Sequence, residues 1–144
     1  MDSKEAKKYV SGISGSTIFT ARPGGQELSD IFKRVSDHYY VHLNPKAPQN
    51  KGLDEWQKVK GESVKLLGFE QFDLFAHKIF SKKQYTISEA ITGQQIGAIK
   101  EATSEQAIQA AGGILERIGV EALYNNIVKQ GKTKGYLSPR YKLI

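Results

Sequence analysis

FDLFAHKIF (72–80), YTISEAIT (85–92), QIGAIK (95–100) and TSEQAIQAAGGILERIG (103–119) are the stretches whose reading decides the fold. In the first, Phe75, His77 and Ile79 alternate with Leu74 and Ala76, a period of two that describes a strand. In the second, Tyr85, Ile87, Glu89 and Ile91 alternate with Thr86, Ser88, Ala90 and Thr92, again with β-branched and aromatic residues over-represented. Ser81 to Gln84 form a polar turn between them, and Thr92, Gly93 and Gln94 turn the chain into a third short strand over 95–100. The period then changes. Thr103 or Ser104, with Glu105 and Gln106 behind it, has the form of a helix N-cap. Ala107, Ile108, Ala111, Ile114, Leu115 and Ile118 then trace one helical face that Gly119 closes. A short helix follows from Val120 to Lys129, carrying Leu123, Tyr124 and Ile127. The expected architecture is α+β: one three-stranded antiparallel meander covered by helices.

Upstream, Leu28, Ile31, Phe32, Val35, Tyr39 and Leu43 recur at i, i+3, i+4 spacing and predict an amphipathic helix that Asn44 and Pro45 end. Leu53, Trp56, Val59, Val64 and Leu67 predict a second helix over 53–67, weakened in the middle by Gly61. The first ten residues suggest a frayed helix and 17–21 a short strand. Gly12, Gly15, Ser16 and Thr17 between them carry no Walker lysine, so an arm joint is the simpler account than a phosphate loop. The domain reading is one α+β domain over 1–129, with 53–119 as an α-β-β-β-α core, and a basic C-terminal arm over 130–144.

At 144 residues and 39% hydrophobic content the chain is long and apolar enough to bury one core. It has no cysteine, which excludes disulfides, thiolate metal sites and thiol nucleophiles. No apolar run reaches the roughly 20 residues of a bilayer span, and residues 2–8 do not read as a signal segment; a cytoplasmic protein without a membrane role is expected. The net charge of +6 is unevenly placed. Residues 1–52 hold eight Lys/Arg against five Asp/Glu, residues 53–119 eight against nine, and residues 120–144 five against one. A neutral middle between basic ends points to contacts made by the ends.

The order helix, three antiparallel strands, helix over 53–119 resembles the double-stranded-RNA-binding domain family. That resemblance implies two helices on one sheet face and a nucleic-acid partner. The lysines that the family carries at the start of its second helix have no counterpart at Thr103, Ser104, Glu105 and Gln106. The run from Phe75 to Lys78 through Tyr85 to Ser88, then Thr92, Gly93, Ile96, Ala107 and Ile108, also looks like the hairpin-and-helix modules of multidomain proteins carried by phages and conjugative elements. It implies a setting among mobile elements rather than a reaction.

The candidate binding residues are therefore those of the tail. Lys129, Lys132, Lys134, Arg140 and Lys142 are suited to phosphates, Tyr136 and Tyr141 to unpaired bases, and Lys82 and Lys83 in the hairpin turn extend the same surface. The competing account docks Leu137, Tyr141, Leu143 and Ile144 onto the domain. His38 and His42, four apart on the expected helix, have the spacing of a metal pair. The simpler account is two helix-boundary histidines, and no metal or cofactor is assigned. His77 with Lys78 and Tyr85 has the parts of a metal-free acid–base nuclease site, against a half-buried structural histidine as the simpler account. The leading expectation is a small DNA- or RNA-binding or accessory protein of a phage- or plasmid-type element, more readily a binder than an enzyme. The alternatives are a metal-independent RNase-type toxin domain using His77, and an inhibitor or adaptor for an acidic protein partner.

Overall fold

In the computed structural model, residues 27–79 and 83–144 are described. Ten strands and helices follow a 3-10 turn at Leu28–Asp30. They are β1 (Phe32–Arg34), β2 (Tyr39–His42), β3 (Trp56–Val59), β4 (Glu62–Val64), β5 (Leu74–Lys78), β6 (Tyr85–Glu89), β7 (Gln94–Gln95), α1 (Ser104–Ile118), α2 (Val120–Val128) and β8 (Tyr141–Leu143). The class is α+β, as the sequence implies. The sheet arrangement is not the expected single three-stranded meander: β4-β5-β6-β7 form a four-stranded antiparallel sheet, and β2-β3 and β1-β8 form two separate two-stranded ribbons.

The β5–β6 hairpin forms where the alternation places it. Its register pairs Phe75 with Ser88 and His77 with Thr86 on one face, and Leu74 with Glu89 and Ala76 with Ile87 on the other. Both faces are buried, because each strand has small or apolar residues at odd and even positions alike. On one face Leu74, Ala76 and Ile87 pack against Ala107, Ala111 and Leu115 of α1 and Leu123, Tyr124 and Ile127 of α2. Phe75, on the other face, packs with Val41 and Ala90 beneath Tyr39 and Val59 of the β2–β3 ribbon. Thr103 Oγ1 accepts the Gln106 amide at 3.1 Å and starts α1, and Gly119, at φ +88°, ends it and opens α2. The third expected strand is shorter than 95–100: the strand ends at Gln95, the Ile96 amide still donates to Ile87 O at 2.8 Å, and the chain returns to β6 at the Tyr85–Glu101 bridge.

The two upstream helices are corrected. Between Leu28 and Leu43 only a single 3-10 turn is helical. Tyr39-Tyr40-Val41-His42 is a strand, and Val35, on the expected apolar face, is 52% exposed. Ser36 interrupts the pattern by accepting the His38 amide on Oγ, a local bond that competes with helix. The β-branched and aromatic run after it has a better site over Phe75, with Tyr39 stacked 4.4 Å from that ring. Over 53–67 the chain forms β3 and β4, and Leu53 and Leu67 are both exposed. The leading helix of the α-β-β-β-α order is therefore absent. Gly61, read as a weak point in a helix, is a corner. β3 pairs with β2 and β4 with β5, so the chain changes layers at Lys60–Gly61. A Cβ on Gly61 would stand 2.8 Å from the Phe75 ring and 2.9 Å from Tyr39.

The C-terminal segment is also corrected: 130–144 is a built part of the fold, not an arm. A π-helical turn over Lys129–Thr133 buries Gly131 against Phe32. The Ser138 amide donates to Ile91 O at 2.8 Å, and β8 pairs with β1 in the register Phe32–Leu143, Lys33–Lys142, Arg34–Tyr141. No helix among the described residues is long and apolar enough to cross a membrane. The expectations for residues 1–26 and for Lys82 lie outside the described residues.

Candidate nucleic-acid interface

Docking divides the tail residues into two groups. Lys129, Lys132, Lys134 and Lys142 remain exposed, as does Lys83, whereas Arg140 is 3% exposed. Arg140 Nε donates to Asp73 Oδ2 at 3.0 Å, and Nη1 donates to the carbonyls of His38 at 3.1 Å and Ser36 at 3.3 Å. Its guanidinium lies 4.0 Å from the centre of the Tyr39 ring. Burial works against the Arg140 charge, but the hydrogen bond and the charge of Asp73 outweigh it and raise its pKa. Tyr141 Oη donates to the same Asp73 Oδ2. Burial, then the bond to Asp73 and its charge, push that phenol up and hold it protonated. Arg140 and Tyr141 thus clamp the tail to the start of β5, and neither joins the exposed lysines of the tail on the outer surface.

Tyr136 behaves differently. It is 40% exposed, and its ring centre lies 5.3 Å from that of His42, which lies 4.7 Å from Trp56 on the other strand of the ribbon. The β2–β3 register pairs His42 with Trp56 and Tyr40 with Lys58, so these four share one ribbon face, while Tyr39, Val41 and Val59 occupy the other. Tail and ribbon together therefore build a row of three rings, Trp56–His42–Tyr136, with Tyr40 and Lys58 on the same ribbon face and the exposed Lys132 and Lys134 in the segment leading to Tyr136. His42 Nε2 bonds Glu55 Oε2 at 2.6 Å, which fixes the imidazole within the row. Gly93 lets the neighbouring turn approach: it sits at φ +67°, its carbonyl accepts the His42 amide, and a Cβ there would fall 2.5 Å from Trp56.

The other sequence candidates fall elsewhere. His38 precedes β2 and His42 ends it, so they share no helix. Among the described residues no group of three histidine, cysteine or acidic side chains could hold a metal. His77 is 7% exposed, bonded through Nε2 to Ser88 Oγ at 2.8 Å and through Nδ1 to Lys78 O at 3.0 Å. Burial, only partly offset by the Lys78 carbonyl, lowers its pKa. It is a buried side chain on the Phe75 face of the sheet, with both ring nitrogens bonded within the protein. Lys78 leaves on the opposite face, 5.9 Å from the Tyr85 ring.

Beside Arg140 lies a half-open cleft of about 510 Å³, walled by Arg34, Tyr39, Ser63, Lys65, Asp73 and Tyr141, with Leu28, Phe32 and Ile91 as its apolar portion. Sequence reasoning passed over Asp73, Lys65, Arg34 and Tyr39. Asp73 carried a usable signal, since an acid inside the apolar run Phe72–Ala76 needs a partner when the run is buried. Trp56, expected on the apolar face of a helix over 53–67, instead shares a ribbon face with His42, a placement that requires 56–59 to be a strand. No family model, curated protein or solved structure matches this chain.

Proposed function

We propose that this protein binds single-stranded nucleic acid across the Trp56–His42–Tyr136 row, with the lysines of the tail on the phosphates. The observation that carries the reading is the placement of Tyr136. A residue of the basic tail is held, still exposed, against a ring pair from a strand ribbon 80 and 94 positions earlier. Rings in a row beside mobile cations are what an unpaired strand needs: every base has a face to stack, and lysines release counterions from its phosphates whatever the sequence. A duplex offers no free base faces, so the row favours single strands. Its setting in a phage- or plasmid-type element belongs to the same proposal and rests on the hairpin-and-helix resemblance alone.

Fluorescence anisotropy with labelled single-stranded RNA and DNA, over a salt series, tests this. Tyr136→Ala removes one stacking face and weakens binding by about tenfold or more. Lys132→Gln with Lys134→Gln flattens the salt dependence, reducing the log–log slope by roughly 1. Absence of saturable binding at low salt, or a Tyr136→Ala protein that binds like the parent, sinks the reading.

The His42–Glu55 pair favours a second reading, metal-independent cleavage of the bound RNA, in place of the sequestered His77. A carboxylate bonded to Nε2 at 2.6 Å holds the imidazole in one orientation, as an acid–base group requires. RNA cleavage that persists in EDTA and disappears in His42→Gln, with strand affinity retained, is the expected outcome of that reading. Intact RNA after prolonged incubation excludes it.

A further inference from the structure

We infer that the cleft beside Arg140 is a binding site for a phosphomonoester of ribonucleotide type, separate in its residues from the ring row. Three cations, Arg34, Lys65 and Arg140, line it, against one carboxylate, Asp73; the Asp37 carboxylate, 3.7 Å from Arg34 Nη2, is 91% exposed and outside the lining, so solvent screens that pair. That leaves two positive charges for a ligand, matching a phosphomonoester dianion better than the single charge of an internal diester. Arg140 is the anchor. Its Nε and Nη1 are committed to Asp73, Ser36 and His38, while no described residue accepts a bond from Nη2. A buried arginine whose guanidinium is fixed on one edge and unpartnered among the described residues on the other, at the wall of a cleft, is a prepared anion donor. Lys65 Nζ makes only long contacts, 3.3 and 3.5 Å to the Glu70 and Phe72 carbonyls, and is free to turn toward an anion.

The rest of the cleft sets the class of ligand. A volume of about 510 Å³ exceeds what a bare phosphate fills and lies in the range of small-molecule sites. Both bonds drawn by Asp73 fall on Oδ2, and no described residue donates to Oδ1, which is therefore available to a sugar hydroxyl. The apolar portion suits the carbon face of a sugar or base. The same chemistry is offered by a free mononucleotide and by the phosphorylated end of a strand.

Titration calorimetry of the full chain at low salt distinguishes these. 5′-AMP binds saturably, adenosine binds at least about tenfold more weakly, and Lys65→Met weakens AMP by about tenfold, the ordinary size of one lost charge-assisted contact. Lys65 is exposed, so its variant keeps the parent's thermal midpoint, whereas an Arg140 variant is compromised by its structural role. A 5′-phosphorylated hexaribonucleotide that binds more tightly than its 5′-hydroxyl counterpart, with the difference lost in Lys65→Met, assigns the cleft to strand ends. Equal binding of the two hexamers beside Lys65-dependent AMP binding assigns it to free mononucleotide. No saturable AMP binding, adenosine equal to AMP, or Lys65→Met equal to the parent overturns the site. The ring row is read with the 5′-hydroxyl hexamer, and the cleft with AMP against adenosine, so failure of the one and failure of the other read separately.

Discussion

Arg140→Ala is the substitution on which most of the structural argument depends. It removes a guanidinium that is 3% exposed, with its bond to Asp73, two bonds to the Ser36 and His38 carbonyls, and its place over the Tyr39 ring. Breaking a buried pair by deleting one partner costs about 3–5 kcal/mol, because the remaining charge and carbonyls lose their partners in a place water reaches poorly. Asp73 keeps some solvent access, its side chain being 19% exposed, and Tyr141 stays bonded to it, so a value of about 4 kcal/mol is the expectation rather than the upper limit. Against a typical domain stability of about 5–15 kcal/mol the loss is large. The assay is urea unfolding followed by the fluorescence of Trp56, the single tryptophan. With a slope near 2 kcal/mol per molar, the midpoint falls by roughly 2 M at constant slope. Arg140→Lys retains the charge but cannot span three acceptors, and loses about half as much. In the cycle with Asp73→Ala, the double variant is about 2 kcal/mol more stable than additivity gives. A midpoint for Arg140→Ala within about 0.3 M of the parent would refute the clamp and restore 130–144 as a free arm.

Three further outcomes follow from single environments. Glu89 is fully buried, and although Thr92 and the Ile91 and Thr92 amides bond it, burial raises its pKa to about 7. A native value above the unfolded one means the native state holds the extra proton. The stabilisation is thus complete below about pH 4.5 and is lost as pH rises to about 7, a change of about 3 kcal/mol. The neutral His77 has the opposite slope near pH 6.5, so the quantity to measure is the parent minus Glu89→Gln stability in urea across pH 4.5 to 7.5, in which His77 cancels; a flat difference rejects the assignment. Gly93→Ala adds a Cβ at φ +67° and 2.5 Å from Trp56, costing about 3 kcal/mol and lowering the melting temperature by roughly 10 °C. Gly112→Ala, in the middle of α1 with nothing within 4 Å of the added carbon, raises stability by up to about 1 kcal/mol, and both are read by thermal unfolding followed by circular dichroism.

The parts of the fold that were legible in the sequence are those where local pattern and burial agree. In 103–128 a cap, a 3.6-residue apolar face and a closing glycine all point to helix, and α1 and α2 form at those positions. In 74–89 alternation and β-branched residues point to strand. Between 28 and 67 they disagree. Helical spacing of Leu28, Ile31, Phe32 and Val35 competes with the strand preference of Tyr39–His42, and tertiary packing decides. Tyr39 and Val41 are needed over Phe75, which a helix on that side would not cover with so short a reach. Because β5 and β6 are buried on both faces, the protein requires a second layer, and the β2–β3 ribbon supplies it. That requirement could have been read from Leu74-Phe75-Ala76, where apolar side chains occupy adjacent positions and so must face opposite sides. The ring row was not legible, since it needs both the strand reading of 39–59 and the docking of Tyr136.

The tail shows how charge type divides structural from binding roles. Among its five cations one is arginine and four are lysines, and the arginine alone is inside. A planar guanidinium satisfies several acceptors at fixed angles and is less costly to dehydrate, so it is the cation that a buried junction tolerates. Lysines hold a point charge on a flexible stem and stay in water. Docking leaves those lysines exposed rather than concealing them. In the β1–β8 ribbon Lys142 lies directly opposite Lys33, a like-charge pair worth about 0.2–1 kcal/mol of repulsion. The ribbon gains its stability elsewhere, from buried Phe32 and from the Arg140 clamp, and so can carry that repulsion. Under the proposed function, a strand phosphate bound across the pair would relieve it, so binding and docking of the tail would reinforce each other. The buried arginine docks the segment that carries the lysines and Tyr136.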